Sequence, residues 1–149
     1  MRIALLFPAL LLCAGCVHRA AVVPPMVPGW ISPPEAVHAA NDDPHRGIRG
    51  SFVVTVQAVG EDERRIYLNT ERDYRHQLNL TIALDRSLRD ALQAQLGLPL
   101  EQLHNHRLLV QGTARRVRID FTPDGRPSGK YYFQTHVDVT DPRQVRLAP

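Results

Sequence analysis

The chain has 149 residues, 18 basic and 15 acidic side chains, a formal net charge of +3, and two cysteines that both fall within the first 16 residues. That length allows one small domain with short appendages, and no disulfide framework can span the chain when both thiols lie at one end. Charge so close to neutral neither supports nor excludes a nucleic-acid partner, because such binders concentrate positive charge on one face.

Met1, Arg2 and the run "IALLFPALLLCAG" give a charged start, an apolar stretch of about a dozen residues and small residues before Cys16, which is the grammar of a secretory signal. The stretch is too short for a comfortable membrane span. "CAGC" resembles the bacterial lipobox, with Cys13 where that motif usually carries Leu. The resemblance implies lipid attachment at Cys16 and cleavage before it, so residues 1–15 leave as a signal peptide and Cys13 leaves with them. The mature chain then has neither an internal disulfide nor a catalytic cysteine. Multiple acyl chains anchor stably where one does not, and Val17, in place of an Asp, fits outer-membrane anchoring facing the periplasm. Residues 16–30 carry Pro24, Pro25 and Pro28 without periodicity and read as an extended tether.

The folded domain is expected over residues 31–149. "SPPEAVHAA" sets Ser32 before Pro33 with Glu35 three positions on, a capping box that predicts a short helix from Pro33 to about Ala40. "GSFVVTVQAVG" reads as a first strand bounded by Gly50 and Gly60, "EDERR" as its loop, and "IYLN" as a second strand. "LNLTIAL" alternates, with Leu78, Leu80, Ile82 and Leu84 on one face and Asn79, Thr81 and Ala83 on the other. In "DRSLRDALQAQLG" the period changes to Leu88, Leu92 and Leu96, a helix that Asp85 or Ser87 can cap and Gly97 can end. "PLEQLHNH" adds a helical turn, and "RLLVQGTARRVRIDF" is a fourth strand with Gly112 as a candidate bend. "TPDGRPSGK" has hairpin-loop chemistry, "YYFQTHVDV" is a fifth strand, and "QVRLA" is a short edge or sixth strand.

Three strands, a helix and two further strands is the order of the OB-fold, a five-stranded partly open Greek-key barrel. The runs "ISPPEAVHAANDDPHRGIRGSFVVTV", "IYLNTERDYRHQLNLTI" and "RLLVQGTA" resemble a family of small bacterial OB-fold domains described as nucleic-acid-binding or of unknown function. That resemblance implies a mainly β, five- to six-stranded barrel with one helix between strands three and four and a short N-terminal helix. Thr70 and Glu71 depart from it, standing where the family often carries an aromatic and a Gly.

OB-folds bind on strands two and three, walled by the loops between strands one and two and between strands four and five. This projects Tyr67, Asn69, Asn79 and Thr81 onto the binding face, with Arg64, Arg65, Arg126 and Lys130 in the loops. A Tyr ring for a base and Arg groups for phosphates would make a single-strand site; the competing reading is an ordinary polar outer face. Arg116 and Arg118 alternate with Val117 and Ile119, and Tyr132, Gln134 and His136 alternate on the next strand. If the two strands pair, a mixed Arg and Tyr surface is expected. "HNH", His104 to His106, lacks a third ligand at zinc spacing, and "ERDYRHQ" reads more simply as a self-paired loop than as acid–base machinery. No nucleophile elbow, phosphate loop or EF-hand occurs. The expectation is a non-catalytic periplasmic lipoprotein that needs no cofactor or metal. It would be held to the membrane by its N-terminal lipid and offer a sheet face to an envelope protein or glycan. The alternative is a module that binds single-stranded nucleic acid at the cell envelope.

Overall fold

The computed structural model describes residues 29–149; the expected signal peptide, Cys16 and most of the tether lie outside the described residues. The architecture is mainly β, with eight strands in one mixed sheet and two α-helices. In chain order the strands are β1 (Trp30–Ile31), β2 (Ile48–Thr55), β3 (Ala58–Glu61), β4 (Arg65–Asn69), β5 (Leu80–Asp85), β6 (Arg107–Asp120), β7 (Tyr131–Val139) and β8 (Val145–Leu147). Helix α1 (Pro33–Asp42) precedes β2, and α2 (Arg89–Leu96) stands between β5 and β6.

The sheet order is β1-β2-β6-β7-β5-β4-β3, with β8 on β6. Among the described residues the ladder path is open, ending at β1 and β3, and the sheet has eight strands where five or six were expected. The extra strands have physical sources. The expected single first strand, residues 50–60, is interrupted at Val56 and Gln57 because its two halves serve different neighbours: β2 pairs with β6 and β3 with β4. The two intervening amides divide the same way, Val56 donating to His106 and Gln57 to Asn69. Trp30 and Ile31 add a parallel edge strand to Ser51 and Phe52. All other pairs are antiparallel except β5 with β7.

The local signals act as expected. The Glu35 carboxylate accepts from both the Ser32 amide (2.8 Å) and its hydroxyl (2.5 Å), closing the start of α1. Asp85 caps the turn that leads into α2 by accepting from the Ser87 amide at 2.8 Å, and Gly97 ends the helix at φ 73°. Phe52, Val54, Ile66, Leu68, Leu80, Ile82, Leu84, Leu108 and Val110 point into one core that Ala36 of α1 and Leu92 and Leu96 of α2 complete. Each large side chain buried there contributes roughly 1.5–3 kcal/mol. The core draws on residues between Ile31 and Val145, and every buried side-chain polar atom among the described residues is hydrogen-bonded. Residues 29–149 therefore carry the means to fold on their own.

Candidate functional site

β5 is buried from Leu80 to Leu84 on both faces, so its polar side chains need internal partners. Asn79, just before it, supplies the hub. Its amide lies 3.0 Å from Asn69 Oδ1, 2.9 Å from Thr81 Oγ1 and 3.2 Å from the Tyr74 carbonyl, while its Oδ1 accepts from the Glu71 amide at 3.1 Å. Thr81 donates to Asn69 at 2.9 Å. This knot ties the loop of residues 70–79 back onto β4 and β5, and brings Tyr74 over the sheet.

Pairing then builds a face. Tyr67 lies opposite Gly60 on β3 and Ala83 on β5, two small residues that leave room beside its ring. Asn69, Thr81 and His136 form a row across β4, β5 and β7, and Ile119 on β6 faces Tyr132. The result is an open cleft of ≈ 380 Å³ lined by Tyr67, Asn69, Tyr74, Thr81, Ile119, Tyr132, Gln134 and His136, with Gly60 and Glu61 at the rim. A second concavity of ≈ 470 Å³, lined by Arg49, Gly50, Ser51, Gln111, Gly112 and Gln144, contains no aromatic ring.

The cleft's hydrogen bonds run in one direction. His136 Nε2 lies 2.7 Å from Gln134 Oε1, which as a carbonyl oxygen accepts, and the Gln134 amide donates to the Tyr74 carbonyl (3.1 Å) and Tyr132 Oη (3.2 Å). Burial, slightly opposed by the nearby Asp138 carboxylate, lowers the His136 pKa to about 4. Burial, followed by the 2.7 Å hydrogen bond that Tyr67 donates to Asp62, raises the Tyr67 pKa to about 12. Burial also raises that of Tyr132. The imidazole and these two phenols are consequently uncharged at neutral pH. The nearby carboxylates have partners: Asp138 has Arg65 at 2.5 Å, Glu61 has Arg89, and Asp62 accepts from Tyr67.

Of the residues singled out by sequence, Tyr67, Asn69, Thr81 and Tyr132 meet in this cleft. Asn79 instead sits behind it, 2 % exposed. Arg65 is the first residue of β4, not a loop residue, and its guanidinium is engaged by Asp138. Arg116 and Arg118 are not on the face of Tyr132. The register sets Arg118 opposite Phe133 and Ile119 opposite Tyr132, which sends the two arginines to the other side with Tyr131 and Phe133. Lys130 and Arg126 are exposed beyond the sheet, at the β6–β7 turn. Tyr74, in the charged loop "ERDYRHQ", joins the cleft without any sequence signal beyond its ring, because the surrounding charges suggest only a self-paired turn. Alternation already placed Gln134 and His136 beside Tyr132, but gave no reason to prefer them as ligand groups. His104 and His106 lie in the turn before β6, where His106 Nδ1 contacts the His104 carbonyl at 3.3 Å. Comparison with family models, with curated proteins and with solved structures finds no match to this chain.

Proposed function

We propose that the chain is a non-catalytic binding module of OB-fold type, anchored by lipid at Cys16 to the outer membrane and facing the periplasm, whose cleft takes a segment of a neutral, hydroxyl-rich envelope polymer. Support for the architecture comes from the division of labour between β2 and β3, which read together as one bent first strand serving β6 on one side and β4 on the other. Three strands, a helix and two strands then follow the OB order, with the third and fifth parallel. The lipid anchor rests on the "CAGC" sequence and its apolar lead.

The observation that carries the ligand class is the lining: phenol rings beside amide and hydroxyl groups, with a neutral imidazole and paired carboxylates. Rings offer flat apolar area to the C–H faces of a sugar, and the polar groups fix orientation. A single-strand nucleic-acid site would need cations tracking the backbone, and none of the residues that line the cleft is a cation: Arg65 is paired with Asp138, and Arg116 and Arg118 are turned to the opposite side. Titrating residues 29–149 with chitohexaose, a neutral N-acetylated oligosaccharide, while following amide shifts tests the reading. Shifts should centre on Tyr67, Tyr132 and His136, and Tyr132→Ala should weaken binding at least about tenfold, in the range of a truncated binding hot spot. Saturable, steeply salt-dependent binding of an oligo-dT in this cleft, with no response to the sugar, would favour the nucleic-acid alternative.

A further inference from the structure

Beyond the cleft, the most unusual surface lies on the opposite side of the β6–β7 hairpin. β2 leaves β6 at Ala114 and β5 leaves β7 at Thr135, so β6 runs on from Arg115 with β7 alone beside it, and from Val117 to Asp120 and from Tyr131 to Gln134 the two strands form a ribbon paired only with each other. Such a ribbon runs for about three residue steps, about 10 Å. One of its faces interleaves cations and rings. The Arg116 guanidinium lies 4.2 Å from the Phe133 ring centroid and that of Arg118 4.1 Å from Tyr131. Tyr131 and Phe133 meet edge to face at 5.6 Å, yet remain 51 % and 47 % exposed. Phe121, at the turn, is exposed as well. Over residues 116–133 four cations, Arg116, Arg118, Arg126 and Lys130, stand against Asp120 and Asp124. Arg118 is bonded to Asp120; among the described residues the ion pairs do not include Arg116, Arg126 or Lys130, of which Arg116 is half-buried against Phe133 and the other two are exposed.

We propose that this ribbon face docks on an anionic phospholipid surface, its rings entering the interfacial layer while the guanidinium and ammonium groups meet lipid phosphates. Rings with a polar edge or a cationic neighbour settle at the membrane–water boundary, and basic clusters are drawn to anionic headgroups. Base stacking is a poorer use of the same surface, because each of the two rings already carries a guanidinium over one face.

The course of the chain agrees, given the lipid anchor proposed above, on which this part of the argument rests. β1 runs parallel to β2 and both run antiparallel to β6, so the chain enters the fold from the ribbon's side. Trp30 is level with Gln111, through Ser51; the ribbon's end at Asp120 lies nine residues further along β6, about 30 Å at strand rise. Thirteen residues separate Cys16 from Trp30, a maximum reach of about 45 Å. A lipid on Cys16 and the tip of the ribbon can therefore meet one membrane plane.

The test keeps anchor and ribbon apart. Residues 29–149, which lack Cys16, are sedimented with vesicles of phosphatidylcholine alone and with vesicles containing phosphatidylglycerol, at low and at physiological salt. Binding is expected to the anionic vesicles only and to weaken with salt. Arg116→Glu should weaken it by about fivefold or more, the loss expected for one basic group at the surface, and Tyr131→Ser with Phe133→Ser should weaken it further while leaving the sugar titration unchanged. No sedimentation with anionic vesicles at low salt overturns the proposal, as does equal binding by the variants. Loss of oligo-dT binding in the same variants with unchanged vesicle binding also overturns it and assigns the ribbon to nucleic acid. The mass of the mature full-length chain reports lipid at Cys16 separately, so failure of the anchor and failure of the ribbon are distinct results.

Discussion

His136 shows how one side chain joins the cleft to the stability of the fold. Its ring is buried between β5 and β6, 6.3 Å from the Tyr67 ring, and donates to Gln134. Removing the imidazolium from water costs more than the Asp138 charge returns, and the pKa falls from 6.5 to about 4. Between those values the unfolded chain binds a proton that the folded chain does not, so this residue's contribution is complete above pH 6.5 and lost as pH falls to 4. The full loss is roughly 3 kcal/mol. Urea unfolding of the native protein and of His136→Gln at intervals from pH 7 to 4 reads that contribution as a difference, since the carboxylates titrate in both. The native protein should lose stability relative to the variant across this window; parallel curves would show that His136 titrates normally and is not enclosed.

At the scale of elements, the placement of α1 depends on a single close approach. After α1 the chain turns through Gly47, at φ 65°, directly against β6: a Cβ there would lie 2.1 Å from the Ala114 carbonyl oxygen and 3.0 Å from the Arg115 side chain. Both the left-handed backbone and the missing side chain are needed, because the obstacle is main chain and cannot rotate away. The Arg115 guanidinium spans the same junction, donating to the His45 carbonyl at 3.2 Å. Gly47→Ala should therefore destabilise by about 2–4 kcal/mol through strain and displacement of β2 from β6. Gly60→Ala, with open space around its Cβ, should cost much less. Thermal unfolding of the two variants checks the ordering, and equal losses would mean that α1 can shift to make room.

These elements were unequally legible in the sequence. The helix starts, the Gly97 stop, the β6–β7 turn and the apolar alternation each depend on neighbours within a few residues, so they could be read directly. The interruption of the first strand could not. Val56 and Gln57 carry no turn residue, and the bend exists because two different strands, the distant β6 and the neighbouring β4, claim the two halves. Arg116 and Arg118 failed differently: alternation along each strand was right, but which faces coincide depends on hairpin register, and a long loop of residues 121–130 leaves that register open. Asn79, expected on the binding face, is buried and serves the loop instead, and an Asn before a buried strand reads the same in the sequence for either role.

For the whole molecule, cooperativity should be unevenly distributed. β5 is central, flanked by β4 and β7 and buried on both faces; opening it exposes Leu80, Ile82 and Leu84 and breaks two ladders together with the Asn79 knot. The ribbon beyond Arg116 has one ladder, exposed rings and surface ion pairs, and such pairs contribute at most about 1 kcal/mol each. Local opening free energies follow that difference in buried contacts. In hydrogen–deuterium exchange, amides of residues 80–84 and 135–139 should exchange only by global unfolding, so their protection should fall uniformly with urea. Those of residues 118–131 should exchange by local fraying with little dependence on denaturant. Uniform protection through the ribbon would mean that it is packed against something in solution, which for a monomeric domain requires a second copy on the aromatic face. A gradient that steepens in urea but flattens on anionic vesicles would instead locate the contact on the membrane, because docking of Tyr131 and Phe133 protects the one part of the sheet that the core leaves unsupported.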